Sequence, residues 1–165
     1  MVATSLLAVV LAGVLAAYLF VGRNLTRLVN LQEQEVESRR TLRQFTQDVS
    51  AAINLTTATA SQITLTKPTG AGTTIVSYVY SSGNAPVYGT LVRTENSVPQ
   101  ELLSGVTALT ITYYTVGGVI SSSPQSIKAA ELSFSTRAGS DNSGTLATYT
   151  TVSPRVVLRN KPALQ

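Results

Sequence analysis

The pattern of apolar and polar positions changes sharply at residue 22. Residues 2–22 carry no charge, and eleven of them are Leu, Val or Phe. As an α-helix this segment would be about 31 Å long, close to the hydrocarbon thickness of a bilayer. A cleaved signal peptide would have a basic start and a shorter apolar run. A buried core helix would not be apolar all round. We therefore predict a transmembrane helix over residues 1–22.

After residue 22 the chain turns polar but keeps helical spacing, and no proline occurs before Pro68. Apolar residues separated by three or four positions form one face. They are Leu42, Phe45, Val49 and Ile53. Glu35 and Arg39 form an i,i+4 pair in the favourable order. We predict an amphipathic extension over residues 23–57, helical to about residue 54, whose apolar face packs on the rest of the chain. A coiled coil is the alternative, but the heptads are too few for it.

Beyond residue 58 the sequence is rich in Thr, Ser, Val, Tyr and Gly, which suits strands and turns. Six strands are predicted, over residues 62–66, 73–80, 87–94, 108–115, 127–135 and 148–159. Val152, Val156 and Leu158 should share one face of the last strand. Pro154 should make that strand an edge, a bulge or two short pieces. Residues 99–103 could form one helical turn.

An antiparallel sheet with one solvated face must cover the other. The apolar face of the helix is the available cover. The predicted fold class is therefore α+β, with a long N-terminal helix whose second half packs on an antiparallel sheet over residues 58–165.

Composition removes most catalytic chemistry. The chain has no cysteine and no histidine, so disulfides, Ser-His or Cys-His pairs and the usual zinc sites are excluded. Outside the helix the carboxylates are scattered, at Glu95, Glu101, Glu131 and Asp141. A calcium loop at residues 139–144 is less favoured than a plain turn, because it lacks the length and acidic spacing of an EF-hand. We predict no enzyme activity, catalytic residue, metal site, cofactor or small-molecule substrate.

Charged residues make up 12% of the chain, and the net charge is +4. Nucleic-acid binders usually concentrate Lys and Arg on one face. Nucleic acid is therefore not the expected partner. Three tyrosines of the predicted strands, Tyr78, Tyr80 and Tyr114, are a candidate interaction surface of the head, since aromatic residues favour interfaces. Cross-strand packing is the alternative.

Several segments, in this order along one chain, resemble the type IV pilin family, and more narrowly minor pilins and the J-type minor pseudopilin of type II secretion. The segments are Met1-Val-Ala-Thr-Ser-Leu-Leu-Ala-Val-Val-Leu-Ala-Gly, Arg40-Thr-Leu-Arg-Gln-Phe-Thr-Gln-Asp-Val-Ser-Ala-Ala-Ile, Tyr88-Gly-Thr-Leu-Val-Arg93, Leu102-Leu-Ser-Gly-Val-Thr-Ala-Leu109 with Tyr113-Tyr114, and Val156-Val-Leu-Arg-Asn160.

The resemblance implies a structural subunit of a type IV pilus or type II secretion filament that assembles through its N-terminal helix. It implies a bacterial inner-membrane protein with one membrane pass and a periplasmic or extracellular head. The implied partners are other pilin or pseudopilin subunits and membrane lipid. Prepilin-type N-terminal methylation would follow cleavage at a Gly-Phe-Thr-Leu-Ile-Glu type of site, expected just upstream of Met1. Arg23 and Arg27 would by themselves place this end of the segment in the cytoplasm, and a basic leader would supply the competing charge.

Small residues in the membrane segment would allow helices to approach closely. The residues expected in membrane and helix packing are Leu6, Leu7, Val10, Ala12, Gly13, Ala16 and Ala17. Two other functions remain open at this point. One is a single-pass, membrane-anchored β-domain that binds a ligand and does not polymerise. The other is a DNA-uptake filament subunit, whose head would bind DNA in a salt-sensitive manner.

Overall fold

A computed structural model of the chain describes residues 2–70, 72–83, 88–138 and 147–162, with the side chains of residues 2–8, 27, 138 and 147 left out. The first element is a single helix, α1, at Val2–Ala51. At 1.5 Å per residue its 50 residues span about 75 Å. This continuous helix, packed on an antiparallel sheet, confirms the α+β prediction.

The helix ends earlier than predicted. Helix α1 stops three residues short of the predicted end at about residue 54, and Asn54–Ala58 is the first strand, β1, so the boundary of the extension at residue 57 is wrong. The Ile53 N–H already donates to Thr66 O, a strand-type bond, at 2.8 Å. Asn54, Thr56 and Thr57 are poor helix formers, and pairing with the next strand gives their backbone groups partners.

Eight strands in the described part form one antiparallel sheet, in which consecutive strands are neighbours from β1 to β7 and β8 also pairs with β6. The remaining strands are β2 Gln62–Thr69, β3 Gly72–Ser81, β4 Gly89–Glu95, β5 Val98–Thr115, β6 Ile127–Ala138, β7 Ala147–Val152 and β8 Val156–Val157. The sheet curls far enough for the Ile111 N–H of β5 to donate to Ala60 O in the β1–β2 turn at 2.8 Å.

Strand β5 is long because it joins the two halves of the sheet. Its first part pairs with β4 and its second part with β6, and Val106 pairs with both. Gly105 stands at this junction with φ +64°, and a Cβ there would lie 2.3 Å from Arg137 O. Only glycine fits this position.

The β4–β5 hairpin turns at Asn96 and Ser97, both with positive φ, in a two-residue loop. Two positive φ values are typical of the type I′ turn that suits hairpins. The prediction of a helical turn over residues 99–103 is therefore wrong. Pro99 is tolerated because this part of β5 has only β4 beside it.

The last predicted strand is two short strands at the edge of the sheet, as the position of Pro154 indicated. Between them, the Ser153 N–H donates to Leu132 O and the Leu132 N–H donates to Ser153 Oγ. This interruption breaks the alternation of inward and outward side chains along the segment. Val156 and Leu158 are buried, whereas Val152 is 55% exposed, so the prediction that all three share one face is wrong.

The core lies between the second half of α1 and the concave face of the sheet. Phe45 packs edge-to-face on Tyr78, with ring centroids 5.5 Å apart. The largest fully buried side chains are Tyr78, Phe45, Phe134, Ile63, Leu65, Leu91, Leu103, Ile127, Leu132, Leu158, Val49 and Val76.

Candidate functional site

In the described part of its first half, α1 leaves its apolar side chains exposed. From Val9 to Val21 every described apolar side chain is exposed, with Tyr18 at 76% and Val9 at 71%. Ala12, Gly13, Ala16 and Ala17 lie exposed on the same segment. The side chains of Leu6 and Leu7 lie outside the described part.

Among the described residues, one helix is long and apolar enough to cross a membrane, and it is α1. A solvated rod of this composition would leave a large apolar area in water, which soluble monomers rarely do. Lipid or the helices of other subunits can cover it.

The second half of α1 is held on the sheet by four charged residues and a tyrosine, buried at their centre, which we call the ionic cluster: Asp48, Lys67, Tyr78, Arg93 and Glu95. Asp48 Oδ2 accepts hydrogen bonds from Arg93 Nε and Tyr78 Oη, both at 2.7 Å. Asp48 Oδ1 accepts from Lys67 Nζ at 3.0 Å. Glu95 completes the cluster by accepting from Arg93 Nη2 at 2.6 Å and from Lys67 Nζ at 2.7 Å.

The cluster is neutral in sum and largely dry. The Asp48 side chain is 4% exposed and that of Arg93 is 7% exposed. Lys67 lies in β2, Tyr78 in β3 and Arg93 in β4, so Asp48 ties the helix to three strands. Tyr78 and Arg93 are direct cross-strand partners, which brings both to the same carboxylate.

The pKa values in the cluster follow from burial and pairing. Burial by itself would raise the pKa of Asp48, but hydrogen bonds from Arg93, Tyr78 and Lys67 hold it below the usual value. The same kinds of bond, from Lys67 and Arg93, lower the pKa of Glu95. Burial and the neighbouring Asp48 charge raise the pKa of Tyr78, which keeps its phenol protonated. Each group therefore stays in the protonation state that its hydrogen bonds require.

Nearer the apolar half, the inner face of α1 makes a different contact, which we call the polar contact: Gln34, Ser38 and Thr41. All three side chains are buried. Thr41 Oγ1 donates to Leu102 O at 3.2 Å. Gln34 Oε1 and Ser38 Oγ have no hydrogen-bond partner in the described structure. An unpartnered buried polar atom costs about 1–3 kcal/mol.

A cleft of about 340 Å³ opens beside β8 and the turn that follows β5. Its apolar lining is Val116, Ala129 and Val157, and its cations are Lys128, Arg155 and Arg159. The Arg155 guanidinium lies 3.5 Å from the centre of the Tyr114 ring. We call this the basic cleft.

The predicted helix-to-sheet residues are mostly where the pattern placed them. Phe45 and Val49 are fully buried, and Leu42 packs on the core from its rim. Ile53 is different, because it lies beyond the end of α1 and is only half-buried.

The tyrosine surface is not formed. Tyr78 is 0% exposed and bonded to Asp48, so its assignment to an exposed surface is wrong. Its strand turns it inward beside Val76, and the alternative of packing within the sheet holds for it. Tyr80 packs against the core. Tyr114 is half-buried beneath Arg155.

Sequence reasoning missed the ionic cluster, although a signal was present. Lys67 continues the inward row of Ile63 and Leu65, and Arg93 that of Leu91. Asp48 stands next to Val49, three residues after Phe45, on the buried face of α1. Charges of opposite sign at buried positions of facing elements predict an ion pair.

Among the described residues, no three of His, Cys, Asp and Glu come together as a metal-binding group. The calcium alternative at residues 139–144 lies outside the described part. No protein-family model and no curated protein sequence matches the chain.

Proposed function

We propose that this protein is a structural subunit of the minor pilin or pseudopilin kind. Its apolar half-helix holds it in the bacterial inner membrane and then packs with the helices of neighbouring subunits in a filament. The head, on the far side of the membrane, is displayed along the filament or at its tip.

The observation that carries the proposal is that the two halves of one continuous helix have different surroundings. Its first half exposes an apolar surface, and its second half is fixed to the head by the core and by Asp48. A head joined to its anchor by a continuous helix moves with that helix. A flexible linker, by contrast, would let the head move independently of its anchor.

Small residues on the exposed half support helix packing. Gly13 and Ala17 are one turn apart and exposed, and nothing lies within 4 Å of where a Gly13 Cβ would be. Close approach of two backbones at such a pair is a common way for apolar helices to associate.

The test uses the full chain in its own cells, with surface material sheared off and sedimented. We expect the protein in the sedimented polymer as well as in the membrane fraction. Enlarging the small pair with Gly13→Leu and Ala17→Leu should cut the polymer fraction several-fold and leave the membrane fraction unchanged. Leu15→Phe is the matched control, because at 100° per residue it lies on the opposite side of the helix. It should have little effect.

A chain that stays in the membrane and never enters polymer would overturn the proposal and favour the non-polymerising binding protein. Head orientation can be read in the same cells, because the chain has no cysteine of its own. A cysteine in place of the exposed Val119 should react with a membrane-impermeant maleimide added outside the cytoplasmic membrane. Labelling only after the membrane is broken would place the head in the cytoplasm and contradict the proposal.

A further inference from the structure

The outer side of α1 carries an exposed apolar side chain with two carboxylates to one side of it and the exposed Arg40 one turn further along. Val36 is 66% exposed, and Glu33 and Glu37 are exposed on the same side of the helix. Neither acid has a salt bridge within the described part, whereas Glu35 is bonded to Arg39 at 2.6 Å. We call Glu33, Val36 and Glu37 the acidic knob.

The basic cleft has the opposite character. Its apolar lining includes Val116, 75% exposed, and Val157, 53% exposed. Lys128, Arg155 and Arg159 stand around it, and in the described structure none of them pairs with a carboxylate. The cleft therefore suits a short aliphatic side chain flanked by negative charge.

We propose that the acidic knob of one copy docks into the basic cleft of a second copy. The inference rests on the proposed function and specifies one contact between neighbouring subunits. Val36 would cover the apolar lining, and Glu33 and Glu37 would pair with Arg155 and Arg159. Complementary charge at such a contact fixes which surfaces meet and in what register.

The position of the two surfaces along α1 sets the stagger between copies. Arg155 and Arg159 also line a cleft with Thr46 and Ser50, so the basic cleft lies beside the last turns of the helix. Val36 is 10 to 14 residues earlier, or about 15–21 Å along the axis. A neighbour must therefore be displaced by that distance, as in a filament. Two copies level in one bilayer cannot make the contact.

Lipid headgroups are a poorer fit for the cleft. Ser50 lies 28 residues beyond Gly22, about 40 Å along a straight helix. Arg155 and Arg159 beside it stand well away from the membrane that would hold residues 1–22. The apolar lining also favours an aliphatic group over a bare phosphate.

The test joins the two surfaces with a disulfide in sheared filaments. The full chain carrying both Val36→Cys and Val157→Cys is oxidised with copper phenanthroline. We expect a ladder of covalent multimers on a non-reducing gel, because each copy would link to one neighbour through each cysteine. Either single variant should give no dimers. Val36→Cys with Ile75→Cys is the matched control, since Ile75 is 62% exposed but lies on β3.

Charge reversal tests the chemistry of the contact. In the chain with Val36→Cys and Val157→Cys, adding Glu33→Arg and Glu37→Arg should lower the yield of covalent multimers at least tenfold. Adding Arg155→Glu and Arg159→Glu to that chain should restore the yield. Glu101→Arg, an exposed acid on β5, should change nothing.

The outcomes separate this inference from the proposed function. Filaments without the ladder would overturn the docking contact and leave the filament role intact. If the ladder forms equally in membranes without filaments, copies that are level in the bilayer make the contact. The axial displacement of about 15–21 Å, and the docking contact that requires it, would then be wrong. A wild-type chain that forms no polymer would overturn both.

Discussion

The inner face of α1 meets the sheet in two unlike ways. In the ionic cluster, Asp48 is buried as a charge and receives bonds from three residues of the cluster and, at 3.5 Å, from Gln44 Nε2. In the polar contact, Gln34 and Ser38 are buried as neutral groups, and each leaves a polar atom without a partner. The carboxylate costs more to bury than the amide or the hydroxyl, and it is the group whose hydrogen bonds are made.

The difference shows that burial cost is decided by partners and not by polarity alone. A lone buried carboxylate is very unfavourable, so it persists only inside a complete set of donors. A lone hydroxyl or amide costs less, and a helix can retain it. We therefore expect α1 to be held firmly at Asp48 and more loosely at Gln34 and Ser38.

Removing the central charge should have the largest effect. Asp48→Ala leaves Arg93 and Lys67 sharing only Glu95, with Arg93 buried. We expect the free energy of unfolding to fall by about 3–5 kcal/mol. Denaturation of the full chain in detergent micelles, followed by tyrosine near-ultraviolet circular dichroism, measures it. Glu35→Ala, which breaks the exposed pair with Arg39, is the control and should cost about 0.3–0.5 kcal/mol. Equal losses in the two variants would contradict our account.

Acid should weaken the same contact. The pKa values of Asp48 and Glu95 are lowered from ordinary values of 3.8 and 4.5. A lowered pKa in the folded state adds stability above the unfolded value, and that stability is lost as pH falls through the folded value. We expect stability to be nearly flat from pH 7 to about 5 and to fall below that. The same titration of Asp48→Asn should show a shallower fall, and an unchanged slope would count against the cluster as its source.

Replacing Asp48, Tyr78 and Arg93 together with apolar residues should restore most of the stability that Asp48→Ala loses. Asp48→Leu, Tyr78→Phe and Arg93→Met together remove the charges and the phenol hydroxyl, and leave Lys67 paired with Glu95. Such replacements are often neutral or stabilising, so we expect stability within about 2 kcal/mol of wild type. A triple variant less stable than Asp48→Ala would show that the charges themselves are required.

The smallest effect is expected at the polar contact, with the opposite sign. Ser38→Ala removes an unpartnered buried hydroxyl and adds a better helix former. We expect a gain of up to about 1 kcal/mol. Thr41→Ala is the matched change, and it should lose about 1 kcal/mol because Thr41 bonds to Leu102 O. A loss at Ser38 would mean that its hydroxyl has a partner after all.

Periodicity located the long helix and most of the sheet, because both follow burial on one face. It failed where hydrogen bonding to a neighbouring strand decides the backbone conformation. Asn54–Ala58 is a strand because β2 supplies its partners, and Val152 faces out because Ser153 interrupts the edge. The apolar half-helix could be predicted from composition. For the ionic cluster, the inward positions of Lys67 and Arg93 indicate buried charge, but which carboxylate they meet depends on residues distant in the chain. The basic cleft depends on such meetings entirely, and the pattern of one strand does not contain them.

The order of the strands along the chain has a consequence for folding during synthesis. All members of the ionic cluster lie between residues 48 and 95, so the helix can engage β2, β3 and β4 before the later strands exist. Hairpins close in about 1–10 μs, whereas the roughly 11 residues from Glu95 to Val106, the last β5 residue that pairs with β4, take about 0.5–2 s to synthesise. During that interval β4 has an open edge, the kind that invites pairing with another chain. The arrival of β5 closes it, and the docked helix covers the growing core meanwhile.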